Sequence, residues 1–355
     1  MSRNRIFGLT NRVLMMIPAT LLVASYVSIM INPAAMWVMS VVGLMFVPLA
    51  ILNTVLLVWA VLRRSKAFMI PLLAMLPAVF FLGRFVRFEE SEDKAVADVR
   101  PLKMISWNVG RFDLDELGLS DEECADSVFT FLQQQNADIV CLQELRLDGV
   151  INVRRHLEKK MKGYKCEYYL FEQKGCSFGN VTFSRMKVLS GEAIKFKNST
   201  NIAIYSDYEF EGHPFRVYNC HFESYNVSFT GIMRSILGEG GEELTETGAR
   251  MKRSITRRPK QVDQVFANIE TSPVPSFVCG DFNDTPMSYT YYRLMRGRSD
   301  TFVEAGDGFG ATYAKMWPLL RIDYVLCPEF CEVISHKTPR VNLSDHYPVV
   351  TEIIL

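Results

Sequence analysis

The residues able to do chemistry sit at the ends of short apolar runs. Met104-Ile105-Ser106-Trp107 delivers Asn108, and Ile139-Val140-Cys141-Leu142-Gln143 delivers Glu144. Phe215-Arg216-Val217-Tyr218-Asn219-Cys220 delivers His221. Phe277-Val278-Cys279-Gly280 delivers Asp281, with Asn283 two residues on. Asp323 follows Arg321-Ile322 inside another run, and Ser344 precedes Asp345-His346. Buried strands do not carry such groups without partners, because an unpaired buried charge costs several kcal/mol. The economical expectation is that they converge on one another and on a cation. Hard donors such as Asn108, Glu144, Asp281, Asn283 and Asp345 suit Mg2+, Mn2+ or Ca2+. The cysteines show no zinc-site spacing. Two histidines, each with a carboxylate at hand, suit proton transfer near neutral pH. A hard cation with His–Asp chemistry points to hydrolysis of a phosphate ester by an activated water.

Strands must deliver these groups. Residues 103–107, 138–142, 276–279, 322–326 and 347–355 read as strands, and 201–210 with 214–220 as a hairpin around Glu211-Gly212-His213. Ser120-Asp121-Glu122-Glu123 reads as a capping box opening a helix to about Asn136. Residues 149–161 read as a second helix, and 245–269 as a polar helix broken near Pro259. Mixed helices and strands with hairpins predict sheets packed together with helices outside.

Ser-Trp-Asn-Val (106–109), Cys-Leu-Gln-Glu (141–144), Cys-Gly-Asp-Phe-Asn (279–283), Arg-Ile-Asp-Tyr-Val (321–325) and Ser-Asp-His (344–346) resemble, in order, the motifs of the endonuclease/exonuclease/phosphatase superfamily. The resemblance covers roughly residues 101–355. It implies an α/β fold, a four-layer α/β sandwich of two packed mixed sheets flanked by helices. It implies Mg2+ (or Mn2+) on Glu144, with Asn108 and Asp345 close by. His346 would be general base or phosphate-polarising imidazole, oriented by Asp323. Asp281 and Asn283 would position water and phosphate. His221 is similar to the second catalytic histidine of deoxyribonuclease-like and sphingomyelinase-like members. Asn180, Ser184 and Arg185, in Gly-Asn-Val-Thr-Phe-Ser-Arg, are candidates for substrate binding or for supporting the site.

Residues 1–88 differ in kind. They hold eight of the 39 basic residues (Arg3, Arg5, Arg12, Arg63, Arg64, Lys66, Arg84, Arg87) and no acidic one. The remaining 31 basic residues therefore face all 39 acidic ones, a net of −8. Runs 13–31 and 34–62 are uncharged and apolar, long enough for the ~20 residues that cross a bilayer as a helix. Run 67–83 is shorter and carries Pro71 and Pro77. The expectation is an anchor of three transmembrane helices over 1–88, or two if the third run lies on the surface. A charged linker, 89–100, and a catalytic domain, 101–355, follow. Basic residues near 3–12 and 63–66 favour the cytoplasm. Three spans then make this an integral membrane protein with an extracytoplasmic catalytic domain.

A 49% apolar content excludes disorder. Cys141, Cys220 and Cys279 read as small buried hydrophobes; unbridged thiols sit uneasily with an oxidising compartment. Six basic residues between Arg250 and Lys260 read as a solvated helix face or a patch for anionic headgroups. The leading expectation is a membrane-anchored, metal-dependent phosphoesterase whose partner is the lipid bilayer and whose substrate is a phosphodiester, such as a lipid headgroup. A nuclease is the alternative, disfavoured by the acidic domain. A catalytically silent binding module is the third. No protein partner is inferable.

Overall fold

The computed structural model describes residues 3–88, 99–112, 120–173, 175–225 and 241–355. Most of the expected linker, 89–98, lies outside the described residues. Contacts divide the chain into two units, Met1–Phe85 with Tyr225–Pro259 and Asp284–Tyr292, and Val86–Ser224 with Lys260–Asn283 and Arg293–Leu355. The first thus takes in two stretches from within 101–355.

The first unit is helical. Arg3–Ser28 is one helix, and Trp37–Leu44 and Phe46–Leu62 form a pair bent by 55°. The third run is a string of short pieces: Lys66–Phe68, Met69–Met75, Leu76–Ala78 and Val79–Leu82. Among the described residues no single helix is long and apolar enough to cross a membrane, though the bent pair passes that test together. The first run thus lies largely in one helix, whereas the second is bent and the third is broken into short pieces. Proline accounts for two of the breaks, since its ring clashes with the carbonyl four residues earlier. Pro48 faces Leu44, where the helix stops, and Pro71 faces Ala67, inside a 3-10 turn. Inside the unit sit polar groups: Ser25, Ser28 and Asn53 are buried, and Asn53 Nδ2 donates to the carbonyls of Leu49 (2.8 Å) and Pro18 (3.1 Å). Outside sit apolar ones, including Leu14, Ile17, Val55, Leu62 and Phe80.

The second unit is built on two six-stranded mixed sheets. One comprises β2 (Leu102–Asn108), β3 (Ile139–Asp148), β4 (Lys165–Gln173), β5 (Cys176–Ser184), β13 (Glu332–Lys337) and β14 (Val349–Ile354), in spatial order β13-β14-β2-β3-β5-β4. The other comprises β6 (Ser190–Lys195), β7 (Ile202–Phe210), β8 (His213–His221), β9 (Ser276–Asp281), β10 (Arg298–Asp300) and β12 (Asp323–Pro328), in order β10-β12-β9-β8-β7-β6. A two-residue ribbon pairs β1 (Val86–Arg87) with β11 (Gly308–Phe309). Among the described residues only β2–β3 and β8–β9 are parallel.

Side-chain alternation explains the layering. Ile139 and Cys141 of β3 join Leu102, Met104, Phe215, Phe277, Cys279 and Val325 between the sheets. Val140 and Leu142 face the other way, onto Cys124, Val128, Phe129 and Leu132 of the helix Asp121–Gln135. Both faces are covered, so β3 is continuously apolar from Ile139 to Leu142. Ser120 and Glu123 form the expected capping box. On the second sheet, Val217 points inward, while Tyr218 points out and donates to Asn268 Oδ1 at 2.7 Å. Asn268 belongs to the helix Gly241–Glu270, so helix, sheet, sheet and helix follow in layers.

Two expectations need correction. The helix does not break at Pro259 but runs through it, with Ile255 before it and Val262 and Val265 after it buried. The helix expected from residue 149 starts at Val153, because Asn152 Oδ1 accepts from the Arg155 N–H as the cap. All eight cysteines are free, and seven are buried.

Candidate active site

Strand pairing brings the polar ends together. Asn108 is opposite Gln143 across β2 and β3, and His221 is opposite Asp281 across β8 and β9. β12 runs antiparallel to β9, which makes its first residue, Asp323, the partner of Asp281. β14 runs antiparallel to β2 with Val349 opposite Ser106, so residues 344–346 arrive at the same end.

Glu144 needs a further device. The β3–β5 register shifts between Leu142 and Leu145, and Glu144 takes a left-handed backbone, φ 52°. Such a bulge re-aims a side chain that strict alternation would send elsewhere. After β2, Gly110, Arg111 and Phe112 are also left-handed. A Cβ on Gly110 would sit 3.0 Å from Asp345 Oδ1, so only glycine lets these loops approach without strain.

The side chains meet around Asp281 Oδ2. It accepts from Asn108 Nδ2 and Asn283 Nδ2, each at 3.0 Å, with His221 Nε2 at 3.8 Å and His346 Nε2 at 4.0 Å. Glu144 Oε1 lies 3.4 Å from both Asn108 Nδ2 and His221 Nε2. His346 Nδ1 lies 2.9 Å from Asp323 Oδ2. The Trp107 indole N–H donates to the His346 carbonyl at 2.8 Å, and the Tyr313 ring stands edge-on to the imidazole. Asp345 sits at the rim, its Oδ2 3.9 Å from Lys315 Nζ.

Burial and neighbouring charge separate the groups electrostatically. Burial, then the Asp323 charge, raises Asp281 to about 6. Burial alone would lower His346, but Asp323, Asp281 and Asp345 outweigh it and raise the imidazole to about 10. Burial works against ionised Glu144 too, yet His221, Arg111 and His346 hold its carboxyl below the usual range.

The site suits a hard divalent cation. His221 Nε2 and Asp323 Oδ1 are buried without hydrogen-bond partners, and two carboxylates face the imidazole. Asp281, Asp323 and His346 offer ligand atoms within 4.8 Å of one another. That trio differs from the sequence assignment of Asn108, Glu144 and Asp345. Asp323 and His346 already hold each other, whereas Glu144 is ionised and reaches the rim of the site. Glu144, with Asn108 beside it, is therefore the better fit.

Arg185 lies away from this group, and Asn180 lies beneath it, its Nδ2 3.3 Å from Asn219 Oδ1. Asn180 is fully buried and donates to the carbonyls of Ile202 (3.2 Å) and Asn219 (3.0 Å), tying β5 to β7 and β8. Arg185 pairs with Asn136 and stacks on Tyr164. Its N–H bonds the Asp138 carbonyl, six residues before Glu144, or roughly 20 Å along a strand. Arg321 pairs with Asp300 rather than Asp323. Ser184 caps its own turn, accepting from the Met186 N–H.

Three residues of the site escape the sequence patterns. Arg111 Nε lies 3.1 Å from Glu144 Oε2, with its guanidinium over the Phe178 ring. The side-chain amides of Gln143 and Asn219 bond at 2.7 Å between the sheets beneath the site. The signal for Gln143 was its place next to Glu144; for Arg111 only the preceding glycine hinted at a turn.

Comparison with known proteins agrees. The chain resembles solved structures at low identity, which speaks to fold. An endonuclease/exonuclease/phosphatase from Beutenbergia cavernae is 20% identical, with TM-score 0.54 and 72% of each chain covered. D. rerio TDP2 complexed with a single-strand DNA product is 19% identical, with TM-score 0.51, covering 72% of this chain and 99% of that one. The human Nocturnin catalytic domain with bound sulfate is 19% identical, with TM-score 0.50, covering 72% and 95%. No curated protein matches. Residues 4–85 match a domain family described as a domain of unknown function. The Endonuclease/Exonuclease/phosphatase family profile matches residues 105–346, more than half of the chain. The chain belongs to that family, whose members are metal-dependent hydrolases of phosphate ester bonds.

Proposed function

We propose that this enzyme is a membrane-anchored phosphodiesterase using Mg2+ or Mn2+, whose substrate is a phosphodiester at the bilayer such as a lipid headgroup. The convergence of Asn108, His221 and His346 on Asp281 Oδ2, with Glu144 beside Asn108 and His221, carries the catalytic part. Bound at Glu144 and Asn108, the cation would supply Lewis acidity to the phosphoryl oxygens. The protein's own groups divide the proton work. Asp281, raised toward neutrality, takes the proton of the attacking water, and Asn283 fixes that carboxylate through two hydrogen bonds. His346, protonated at neutral pH and held by Asp323, donates from Nε2 to the phosphoryl group. His221 faces the same space and protonates the leaving oxygen.

The helical unit supports the anchor, because Ser25, Ser28 and Asn53 are buried while many large apolar side chains face outward. The third run also keeps pace with the first. Ala67 packs with Met15 and Ala60, while Phe81 stacks on Tyr26 at 5.3 Å and Phe85 lies 5.3 Å from Phe46. That supports three crossings. The chain then leaves the bundle at the end opposite the Arg63-Arg64-Ser65-Lys66 loop, on the extracytoplasmic side. The nuclease alternative draws on the DNA product bound by D. rerio TDP2, against a net charge of −8 beyond residue 88.

The test is hydrolysis by the full chain in detergent, with bis-p-nitrophenyl phosphate, sphingomyelin and phosphatidylcholine in mixed micelles, and single-stranded DNA as parallel substrates. Mg2+-dependent cleavage of the generic diester and a lipid, stopped by EDTA, is expected. Cleavage of DNA alone transfers the assignment to the nuclease.

A further inference from the structure

Residues 284–292 follow Asn283 directly in the chain, yet they belong to the helical unit with Met1–Phe85. Their hold there is extensive. Met287 is fully buried among Ala19, Leu22, Phe46, Leu49 and Ala78. Its carbonyl accepts from Ser28 Oγ at 3.3 Å, and Gly43 approaches so closely that any Cβ would collide with that oxygen. Arg84 donates to the Pro286 carbonyl at 3.4 Å and lies over the Tyr291 ring.

Asp284, the first residue of the stretch, is pinned by side chains. Arg258 Nη1 stands 2.8 Å from its Oδ2, and both side chains are almost wholly buried. Tyr225 OH donates to Oδ1 at 2.8 Å, Thr290 Oγ1 donates to Oδ2 at 3.0 Å, and the Arg258 guanidinium lies 4.2 Å over the Tyr225 ring. Tyr225 is four residues beyond His221, and Asp284 three beyond Asp281. The same buried ion pair therefore fixes the chain leaving β8 and the chain leaving β9. A buried pair adds little to stability alone, but it is specific in geometry.

We infer that the N-terminal helices are a positioning element as well as an anchor: through Met287 and the Tyr225–Arg258–Asp284 cluster they hold the backbone that carries Asp281 and Asn283. Gly43 and Arg258 are positioning residues in this scheme and touch no substrate. Asn283, at φ 52° with its N–H on Asp281 Oδ1 at 2.7 Å, is the joint between held segment and site.

The experiment compares one substitution at two glycines of the full chain in detergent. Gly43→Ala pushes on Met287, whereas Gly83→Ala meets nothing within 4 Å. Gly43→Ala should speed amide hydrogen exchange over 281–292 while leaving 139–148 unchanged, and Gly83→Ala should change neither. Gly43→Ala should also lower kcat at least about 10-fold with KM unchanged, because small misplacement of catalytic groups is costly. Arg258→Met, which removes the guanidinium facing the Asp284 carboxylate, should do the same, and adding Asp284→Asn should recover part of the loss. Faster exchange confined to 285–292, with 281–283 and kcat as in the parent, overturns the inference. So does a folded Arg258→Met protein with unchanged exchange at 281–283. The kinetic arm rests on the phosphodiesterase reading and the exchange arm does not. An inactive parent chain with the expected exchange pattern loses that reading and keeps this one.

Discussion

His346 Nδ1 lies 2.9 Å from Asp323 Oδ2, and neither group is open to solvent. The contact turns the ring so that Nε2 faces Asp281, and its charge keeps the imidazole protonated. Asp323→Asn preserves shape and removes the charge. The variant should lose at least ~10²-fold in kcat, within the range of general acid–base contributions. Its His346 pKa, followed by NMR titration, should fall. A folded variant with near-parental kcat takes Asp323 and His346 out of the reaction.

The same pair leaves a mark on stability. The folded-state pKa of His346, about 10, exceeds the ordinary 6.5, so the bound proton favours the folded state. That contribution is complete below pH 6.5 and is lost as pH rises toward 10. Asp281 titrates lower, between its ordinary 3.8 and about 6, and does not overlap. In EDTA, the melting temperature should fall between pH 6.5 and about 8, below the ordinary range of thiols. His346→Gln should flatten that slope. An equal slope in the variant assigns it to other groups.

Glu144 is the ionised carboxylate in reach of Asn108, His221 and Arg111. Divalent ions should bind the full chain and raise its melting temperature by mass action. Glu144→Gln should weaken Mg2+ binding at least about 10-fold by calorimetry, within the ~10–100-fold range seen even for groups supporting a metal site. Parental affinity in that variant leaves the Asp281, Asp323 and His346 trio as the ion's holder.

Much of this site is legible in the sequence, because a polar residue that ends a doubly buried strand must find a partner there. Asn108, His221 and Asp281 obey that rule, and parallel pairing does the rest. Other features stay hidden for definite reasons. The bulge that aims Glu144 depends on pairing with β5, and Arg111 arrives through successive left-handed residues. Asn180 shares its strand with Arg185 but turns inward, since β7 and β8 offer it carbonyls. Hydropathy counts apolar residues and misses the clash of Pro48 with the preceding turn. No local pattern announces that Met287 packs beside Ser28, 259 positions away.

Topology supplies the last prediction. The loop Arg63-Arg64-Ser65-Lys66 carries three positive charges, and Phe88 follows the third apolar run. Positive loops stay in the cytoplasm, so three crossings put Ser65 inside and Phe88 outside. Alkaline phosphatase, which folds only where disulfides form, should be active when fused after Phe88 and silent after Ser65. A green fluorescent reporter should give the reverse. Phosphatase silent at both points, with fluorescence at both, would mean the third run does not cross. The free cysteines fit that outcome more comfortably, because Cys141, Cys220 and Cys279 would then face no oxidant. With three crossings their safety must come from burial, and all three are fully buried in the second unit. Thiol alkylation of the folded full chain should accordingly leave these three unmodified, and Cys176, the one cysteine not buried, should react first.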